Sequence, residues 1–244
     1  MVTKVIAHRG ASKYAPENTM SAFELAVEMG ADGIETDVQL TKDHIPVLIH
    51  DENVKRTTNG TGLISQLTFK QVKQLDAGAW FHPSFSGATI LSLDEFLQWF
   101  ANKSLYLNIE LKNNKIEYKN IEAIVYEMLG HHKLLNRSTI STFNPNSIKR
   151  MKSYRKNLEV AFLTSKRYRN LVQLTKELGG NALHIKYRLL NRPLVEHIHQ
   201  ENMAVRVYTI NKTSRMLNCY QHECDGIFTD IPDKAKHVRK LVFN

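Results

Sequence analysis

Short apolar runs with strand character alternate with helical patterns along this chain of 244 residues. This alternation is typical of proteins in which helices connect the strands of a parallel sheet. Eight runs are candidate strands, and eight strands of this kind close into a (β/α)8 TIM barrel. The predicted barrel strands are Val5–Arg9, Gly33–Asp37, Leu105–Lys112, Ser138–Thr142, Glu159–Leu163, Ala182–Lys186, Ala204–Thr209 and Gly226–Asp230.

Helical patterns lie between these strands. In the first one Met20, Phe23 and Val27 recur at helical spacing, Asn18 is the predicted N-cap and Gly30 ends the helix. A basic amphipathic helix with solvated charges is predicted at the C-terminal end of the chain. The helices predicted between are Ile116–Leu129, Pro145–Tyr154, Tyr168–Leu178, Pro193–Glu201 and Ser214–Tyr220.

The segment that follows Asp37 interrupts the repeat. It turns through Thr41–His44 and returns as Ile45–His50, which is too short for a crossover helix. The sequence therefore predicts a hairpin arm that leaves the top of the barrel and returns to it.

The next segment, residues 51 to about 87, is longer than a typical loop between a strand and a helix. We expect it to be an insertion, with one short helix capped by Thr68, within a single domain that spans residues 1–244. Its aromatic side chains are predicted to form a small core of their own rather than to stack on a ligand. These residues are Trp80, Phe81 and Phe85.

The net charge of +9 favours anionic partners, such as phosphorylated metabolites, nucleic acid or a lipid surface. No helix-turn-helix, zinc-finger or RNA-binding signature accompanies the charge, so nucleic acid is not an expected partner. No apolar run approaches the roughly 20 residues of a membrane span. With no leader before the first strand, we expect a cytoplasmic protein without stable membrane insertion.

Cys219 and Cys224 lack metal-site or disulfide spacing and are expected to be packing residues.

Charged residues recur on one face of two predicted strands. Glu35 and Asp37 are two residues apart and therefore point the same way, and Glu110 with Lys112 repeats the arrangement on the next barrel strand. TIM barrels carry their chemistry at the C-terminal ends of the strands, so these side chains are candidate site residues. Inward-facing charges are costly unless they are paired or bind a cation.

Three convergent carboxylates without thiols form an oxygen-ligand set, which suits one hard divalent cation, Ca²⁺ or Mg²⁺. The predicted ligands are Glu35, Asp37 and Glu110. Lys112 would neutralise the remaining charge or bind a phosphate oxygen, and Arg9 offers a bidentate phosphate contact. These residues predict a phosphate-containing substrate.

Two histidines can reach the same pocket from different parts of the chain. His8 ends the first strand and His50 ends the returning arm. Because imidazole titrates near neutrality, the pair can supply a general base and a general acid for displacement at phosphorus. The other histidines, including His131, His132 and His184, lack this context and are expected to be structural.

Six ordered motifs along the chain resemble those of the glycerophosphodiester phosphodiesterase family, which is related in architecture to phosphatidylinositol-specific phospholipase C. The resemblance covers nearly the whole sequence and is specific because the motifs occur together. They are His8–Thr19, Gly33–Val38, Val47–Asp51, Ile109–Lys112, Val207–Asn211 and Asp225–Asp230.

The resemblance implies a TIM barrel that hydrolyses glycerophosphodiesters to glycerol 3-phosphate and an alcohol. It implies the same cation ligands and the same histidine pair as the residues themselves suggest, and it adds Glu17 and Asn18 at the rim of the pocket. Tyr208 stands where family members often have Trp, which leaves the alcohol preference open. The attacking hydroxyl, from water or from the glycerol of the substrate, stays open too, as do the assignment of acid and base between the histidines and the oligomeric state.

Three other readings compete with this one. A barrel that binds a phosphorylated ligand without turnover would keep the fold and lose the chemistry. A phospholipase C or D would need a route onto a membrane surface. A nucleic-acid binder would explain the charge but lacks a supporting motif.

Overall fold

The computed structural model describes residues 2–154 and 158–243. Eight parallel strands form a closed barrel in the order β1-β9-β8-β7-β6-β5-β4-β2, and pairing of β1 with β2 closes the ring. The predicted TIM barrel is confirmed. Its strands are β1 (Lys4–His8), β2 (Gly33–Leu40), β4 (Tyr106–Leu111), β5 (Ser138–Thr142), β6 (Glu159–Thr164), β7 (Ala182–Lys186), β8 (Ala204–Tyr208) and β9 (Gly226–Thr229).

Helices cover the outside of the barrel. Within the described residues they are α1 (Met20–Glu28), α2 (Phe69–Val72), α3 (Leu93–Ala101), α4 (Ile121–His131), α5 (Pro145–Met151), α6 (Leu171–Leu178), α7 (Arg192–Gln200), α8 (Thr213–Gln221) and α9 (Pro232–Phe243). Because strand side chains alternate between faces, the apolar residues that point outward pack beneath these helices and form the main core. No helix in the described ranges is long and apolar enough to cross a bilayer.

The predicted hairpin arm is present. The short strand β3 (Pro46–Leu48) runs antiparallel to the far end of β2, with Val38 opposite Leu48 and Leu40 opposite Pro46. The arm thus brings His50 back to the top of the barrel.

Helix α3 was not predicted, although its sequence carries a helix-start signal. Ser92 caps the helix, and its hydroxyl accepts a hydrogen bond from the backbone of Glu95 while the Glu95 carboxylate accepts one from the backbone of Ser92. This reciprocal pair is the capping box that a Ser followed three residues later by Glu indicates.

Two local predictions were wrong, and the first is the N-cap of helix α1. Thr19 rather than Asn18 caps this helix, and its hydroxyl accepts a hydrogen bond from the backbone N–H of Ala22. Asn18 instead adopts a left-handed conformation with φ of 58° and turns its amide toward the barrel strands. The physical reason is that its amide bonds strand β2 directly, with Nδ2 3.0 Å from Asp37 Oδ2.

The second wrong prediction concerns Trp80, Phe81 and Phe85, which do not form the core of segment 51–87. A separate small core consists of aliphatic side chains, among them Ile49, Val54 and Ile64. Trp80, Phe81 and Phe85 pack edge to face against one another, with ring centroids 5.6 and 5.7 Å apart, and Trp80 stays 40% exposed.

Gly10 provides a test of how tightly the first loop packs on α1. Its φ is +82°, and a Cβ built there would lie 2.6 Å from the carbonyl carbon and oxygen of Ala22. Gly30 has a similar φ of +70° but open space around it. We expect Gly10→Ala to lower the free energy of unfolding by about 3 kcal/mol, because strain and overlap add, and Gly30→Ala by about 1 kcal/mol, because only strain acts. Urea denaturation measures both, and equal losses would contradict the close approach.

Candidate active site

A cavity of about 370 Å³ opens at the C-terminal ends of the barrel strands. Seven of the predicted site residues line it, namely His8, Arg9, Glu35, His50, Glu110, Lys112 and Tyr208. The wall also contains residues that the sequence did not single out for a site, namely Asn108, Ser141, Phe143, Leu163, His184, Lys186, Thr209 and Phe228. The cavity therefore lies where the fold positions its strand ends and contains the predicted polar groups.

Three carboxylates converge beside this cavity. Strands β2 and β4 pair so that Asp37 is level with Glu110, and Glu35 is one inward-facing position below on β2. Oxygen atoms of Glu35, Asp37 and Glu110 lie within 4.8 Å of one another, and the three residues are 3%, 0% and 9% exposed. Such close burial of like charges is unfavourable without compensation.

The donor set fits a hard divalent cation. All three groups offer oxygen, which Ca²⁺ and Mg²⁺ prefer. The buried Asp37 Oδ1 has no hydrogen-bond donor among the described residues and so keeps its lone pairs for another partner. The carboxylates could hold one divalent cation.

The electrostatics of the cluster differ between its members. Burial, reinforced by the charges of Asp37 and Glu110, raises the pKa of Glu35 well above its ordinary value. Burial acts the same way on Asp37, but the charges of Arg9 and Lys112 outweigh it and hold the pKa of Asp37 far below its usual range. Asp37 thus stays firmly ionised, whereas the site favours the protonated form of Glu35.

Two cationic side chains balance the cluster. Arg9 Nε lies 3.0 Å from Asp37 Oδ2, and Lys112 Nζ lies 2.7 Å from Glu110 Oε1 and 3.8 Å from Asp37 Oδ1. Burial opposes the charge of Lys112, yet Glu110 and Asp37 raise its pKa. Arg9 and Lys112 therefore remain charged at the cavity wall, where they can contact an anion.

Each cavity histidine is held by a carboxylate. His8 Nδ1 is 2.7 Å from Asp230 Oδ1, and His50 Nδ1 is 2.6 Å from Asp51 Oδ1. Because an ionised carboxylate only accepts hydrogen bonds, each Nδ1 carries the proton and donates it. Nε2 of each ring is then the nitrogen left for a ligand.

The two carboxylates are kept ionised. Burial would raise the pKa of Asp230, but hydrogen bonds from His8, Asn211 and Ser12 lower it to about 2. For Asp51, bonds from Arg56 and His50 overcome the effect of burial and lower the pKa to about 2. Both imidazoles are therefore oriented by permanent negative charges.

Glu17 and Asn18 stand behind the cavity wall. Glu17 pairs with Arg9 at 3.0 Å and with Arg56 at 2.8 Å, while Asn18 accepts from Thr36 and donates to Asp37. In these positions they orient Arg9 and Asp37. Direct contact of Glu17 or Asn18 with a substrate stays a prediction.

Tyr208 forms an aromatic wall together with Phe143. The two rings are perpendicular with centroids 6.1 Å apart. Burial raises the pKa of Tyr208, so its hydroxyl stays neutral, and that hydroxyl has no hydrogen-bond partner among the described residues. An apolar wall with one available hydroxyl suits a polyol.

Sequence reasoning assigned no role to Asp51 and Asp230, although both end motifs that it had recognised. The sequence carried a signal for both residues. One carboxylate follows His50 directly, and the other ends the last predicted strand, which lies beside the first strand in a closed barrel.

His184 was expected to be structural and is fully buried, 3.2 Å from Arg206 and against the ring of Phe228. Burial and Arg206 lower the pKa of His184 well below its ordinary value, so it is neutral.

Known proteins with similar sequences agree with the kind of site that the geometry indicates. The glycerophosphoryl diester phosphodiesterase family matches residues 8–234. The chain belongs to this family. A glycerophosphodiester phosphodiesterase of Bacillus altitudinis is 37% identical over 98% of this chain and 99% of the relative, and one from Caldanaerobacter subterraneus is 37% identical over 96% of both.

A solved structure extends the comparison with this phosphodiesterase family. A phosphodiesterase of Oleispira antarctica, in complex with its product sn-glycerol-3-phosphate, is 31% identical and superposes with a TM-score of 0.91. The match covers 98% of this chain and 97% of that one.

The acidic cluster predicts stabilisation by cations. Addition of Ca²⁺ or Mg²⁺ to chelator-treated protein is expected to raise the melting temperature, since a ligand at 100 times its Kd adds about 2.7 kcal/mol to the folded state. Glu35→Gln removes one ligand and should lose most of this shift. Glu24→Gln, on the exposed face of α1, is the matched control and should keep it. Identical shifts in all three proteins, measured by scanning fluorimetry, would place the cation elsewhere.

Proposed function

We propose that this member of the family hydrolyses glycerophosphodiesters, such as glycerophosphocholine or glycerophosphoethanolamine, to glycerol 3-phosphate and an alcohol. One observation carries the proposal. Two imidazoles, each oriented by a carboxylate, share a cavity with Glu35, Glu110 and two cationic side chains, and the buried Asp37 completes the acidic cluster beside it. This combination provides proton transfer and charge stabilisation at a phosphate in one place.

Glu35, Asp37 and Glu110 would hold one divalent cation, Ca²⁺ or Mg²⁺. Such a cation supplies Lewis acidity to a phosphoryl oxygen and offsets the repulsion among its ligands. Arg9 and Lys112, whose charges face the same wall, would bind the remaining phosphate oxygens and stabilise the charge that develops at phosphorus.

His8 and His50 would move the protons. With Nδ1 of each ring donating to a carboxylate, Nε2 of one ring can accept the proton of the attacking hydroxyl. Protonated Nε2 of the other ring donates to the oxygen of the departing alcohol. Attack by water gives glycerol 3-phosphate directly. Attack by the glycerol hydroxyl of the substrate expels the alcohol and leaves a cyclic glycerol phosphate, which water then opens with the two imidazoles in exchanged roles.

The remaining wall would set the pose of the substrate. Tyr208 and Phe143 provide the aromatic face against which the glycerol carbons would pack. Glu17 and Asn18 would act through Arg9 and Asp37. We propose that residues 1–244 act as one domain, with segment 51–87 as an insertion that begins directly after His50. The cytoplasmic location remains a prediction from the sequence.

The direct test is release of glycerol 3-phosphate from glycerophosphocholine and glycerophosphoethanolamine, with chelator and then Ca²⁺ or Mg²⁺ added back. Release should stop with chelator, return with one of the cations, and fall by about 10²–10⁴-fold in His50→Ala, which is the usual contribution of a general acid or base. His237→Ala, an exposed position on α9, is the matched control and should keep full activity. No release from either substrate by the cation-loaded wild type would favour a barrel that binds without turnover.

A second prediction concerns Asp230, which orients His8. In Asp230→Asn the amide can donate to Nδ1, which favours the wrong tautomer of the imidazole. We expect kcat to fall by about 10- to 100-fold with little change in KM, because substrate binding does not use Asp230. A change confined to KM, or loss of the native melting transition, would contradict a positioning role.

A further inference from the structure

Two neighbouring loops at the mouth of the barrel carry a concentration of positive charge. Residues 165–170, after β6, and residues 186–191, at the end of β7, contain five Lys or Arg residues and no Asp or Glu. Both loops follow the C-terminal ends of parallel strands, so they lie at the same end of the barrel as the cavity. The five residues are Lys166, Arg167, Arg169, Lys186 and Arg188.

Lys186 belongs to the cavity wall itself. It pairs in register with Tyr208 on β8 and is two residues beyond His184, so it shares their inward face. In the ring of eight strands, β7 lies four places from β2 in either direction. The ammonium group of Lys186 is therefore carried by the wall opposite the strand of Glu35 and Asp37.

Arg188 is held in place beside Lys186. Its guanidinium Nε donates to the carbonyl of Ser165 at 3.1 Å, which ties the β7 loop to the β6 loop. Its charge opposes the rise in the Tyr208 pKa that burial causes, which places the guanidinium near the aromatic wall of the cavity. The side chain is thus anchored at the mouth rather than directed away from it.

These charges differ from the two cations beside the carboxylate cluster. Arg9 and Lys112 are each engaged by carboxylates. Across residues 2–154 and 158–243, no ion pair involves any of the five loop cations. Their charge is consequently available to a ligand that enters the cavity.

We propose that the alcohol part of the preferred diester carries a further phosphate, which Lys186 and Arg188 bind. This inference rests on the proposed function, in which Arg9, Lys112 and the carboxylate cluster take the phosphodiester itself. With that phosphate at the β1–β2–β4 side and the glycerol carbons against Tyr208 and Phe143, the alcohol is left to point to the mouth of the cavity, where the loops after β6 and β7 carry cations and no carboxylate. A second phosphate gains charge-assisted hydrogen bonds there, whereas a cationic alcohol such as choline is repelled.

Three soluble substrates test the inference, namely glycerophosphodiesters of choline, of glycerol and of glycerol phosphate, whose alcohols are cationic, neutral and anionic. At low ionic strength the wild type should show kcat/KM for the anionic alcohol at least about tenfold above that for the neutral one. The double variant Lys186→Ala with Arg188→Ala should lose at least about tenfold of this ratio, mainly through KM, and added salt should reduce it in the wild type.

Two controls separate charge at this wall from charge in general. Lys149→Ala with Lys240→Ala removes the same net charge from exposed positions on α5 and α9 and should keep the ratio. Lys186→Arg with Arg188→Lys keeps both charges and should retain most of it. Melting curves verify that each variant is folded.

Two results would overturn the inference while leaving the proposed function intact. One is equal kcat/KM for the three diesters, and the other is a ratio that persists in the alanine double variant. Binding to anionic phosphatidylglycerol vesicles that disappears in the double variant, without change in the ratio, would assign the loops to a lipid surface instead. Hydrolysis of none of the three substrates by cation-loaded protein would overturn the proposed function and the inference with it.

Discussion

The mutual repulsion of Glu35, Asp37 and Glu110 is the constraint on which the site depends. Three carboxylates within 4.8 Å of one another and nearly excluded from water require positive charge nearby. Arg9 and Lys112 supply part of it from the ends of β1 and β4, the two strands that flank β2, and Asn18 adds a hydrogen bond to Asp37 at 3.0 Å. Within the described part of the chain Asp37 Oδ1 accepts no hydrogen bond, which leaves it available to a divalent cation.

Closure of the barrel connects this cluster to the two cavity histidines. His8 on β1 is fixed by Asp230, which is 222 residues later and follows β9, so their contact exists only because β9 pairs with β1. His50 arrives on the hairpin arm and is fixed by its neighbour Asp51, which Arg56 also binds. Arg56 in turn bonds Glu17, and Glu17 bonds Arg9. One chain of ion pairs thus links the arm, the first loop and the cluster.

Charge is divided across the cavity. The carboxylates and the two histidines lie on the side formed by β1, β2 and β4, whereas the loops after β6 and β7 are basic without acidic residues. The net charge of +9 is therefore not a uniform property of the surface. The basic loops lie across the cavity from the acidic cluster, a separation of charge that the net charge alone does not reveal.

The sequence by itself determined the barrel, the arm and the cluster. Strand periodicity fixes which side chains share a face, and the pairs Glu35 with Asp37 and Glu110 with Lys112 are each two residues apart. Sequence patterns did not predict helix α3, and they placed the cap of α1 one residue too early. Asn18 and Thr19 are both good capping residues, and only the contact of Asn18 with Asp37 decides between them. The partners of His8 and the position of Lys186 opposite β2 were decided by the tertiary structure. Such contacts join residues far apart in sequence, and only ring closure sets their distance.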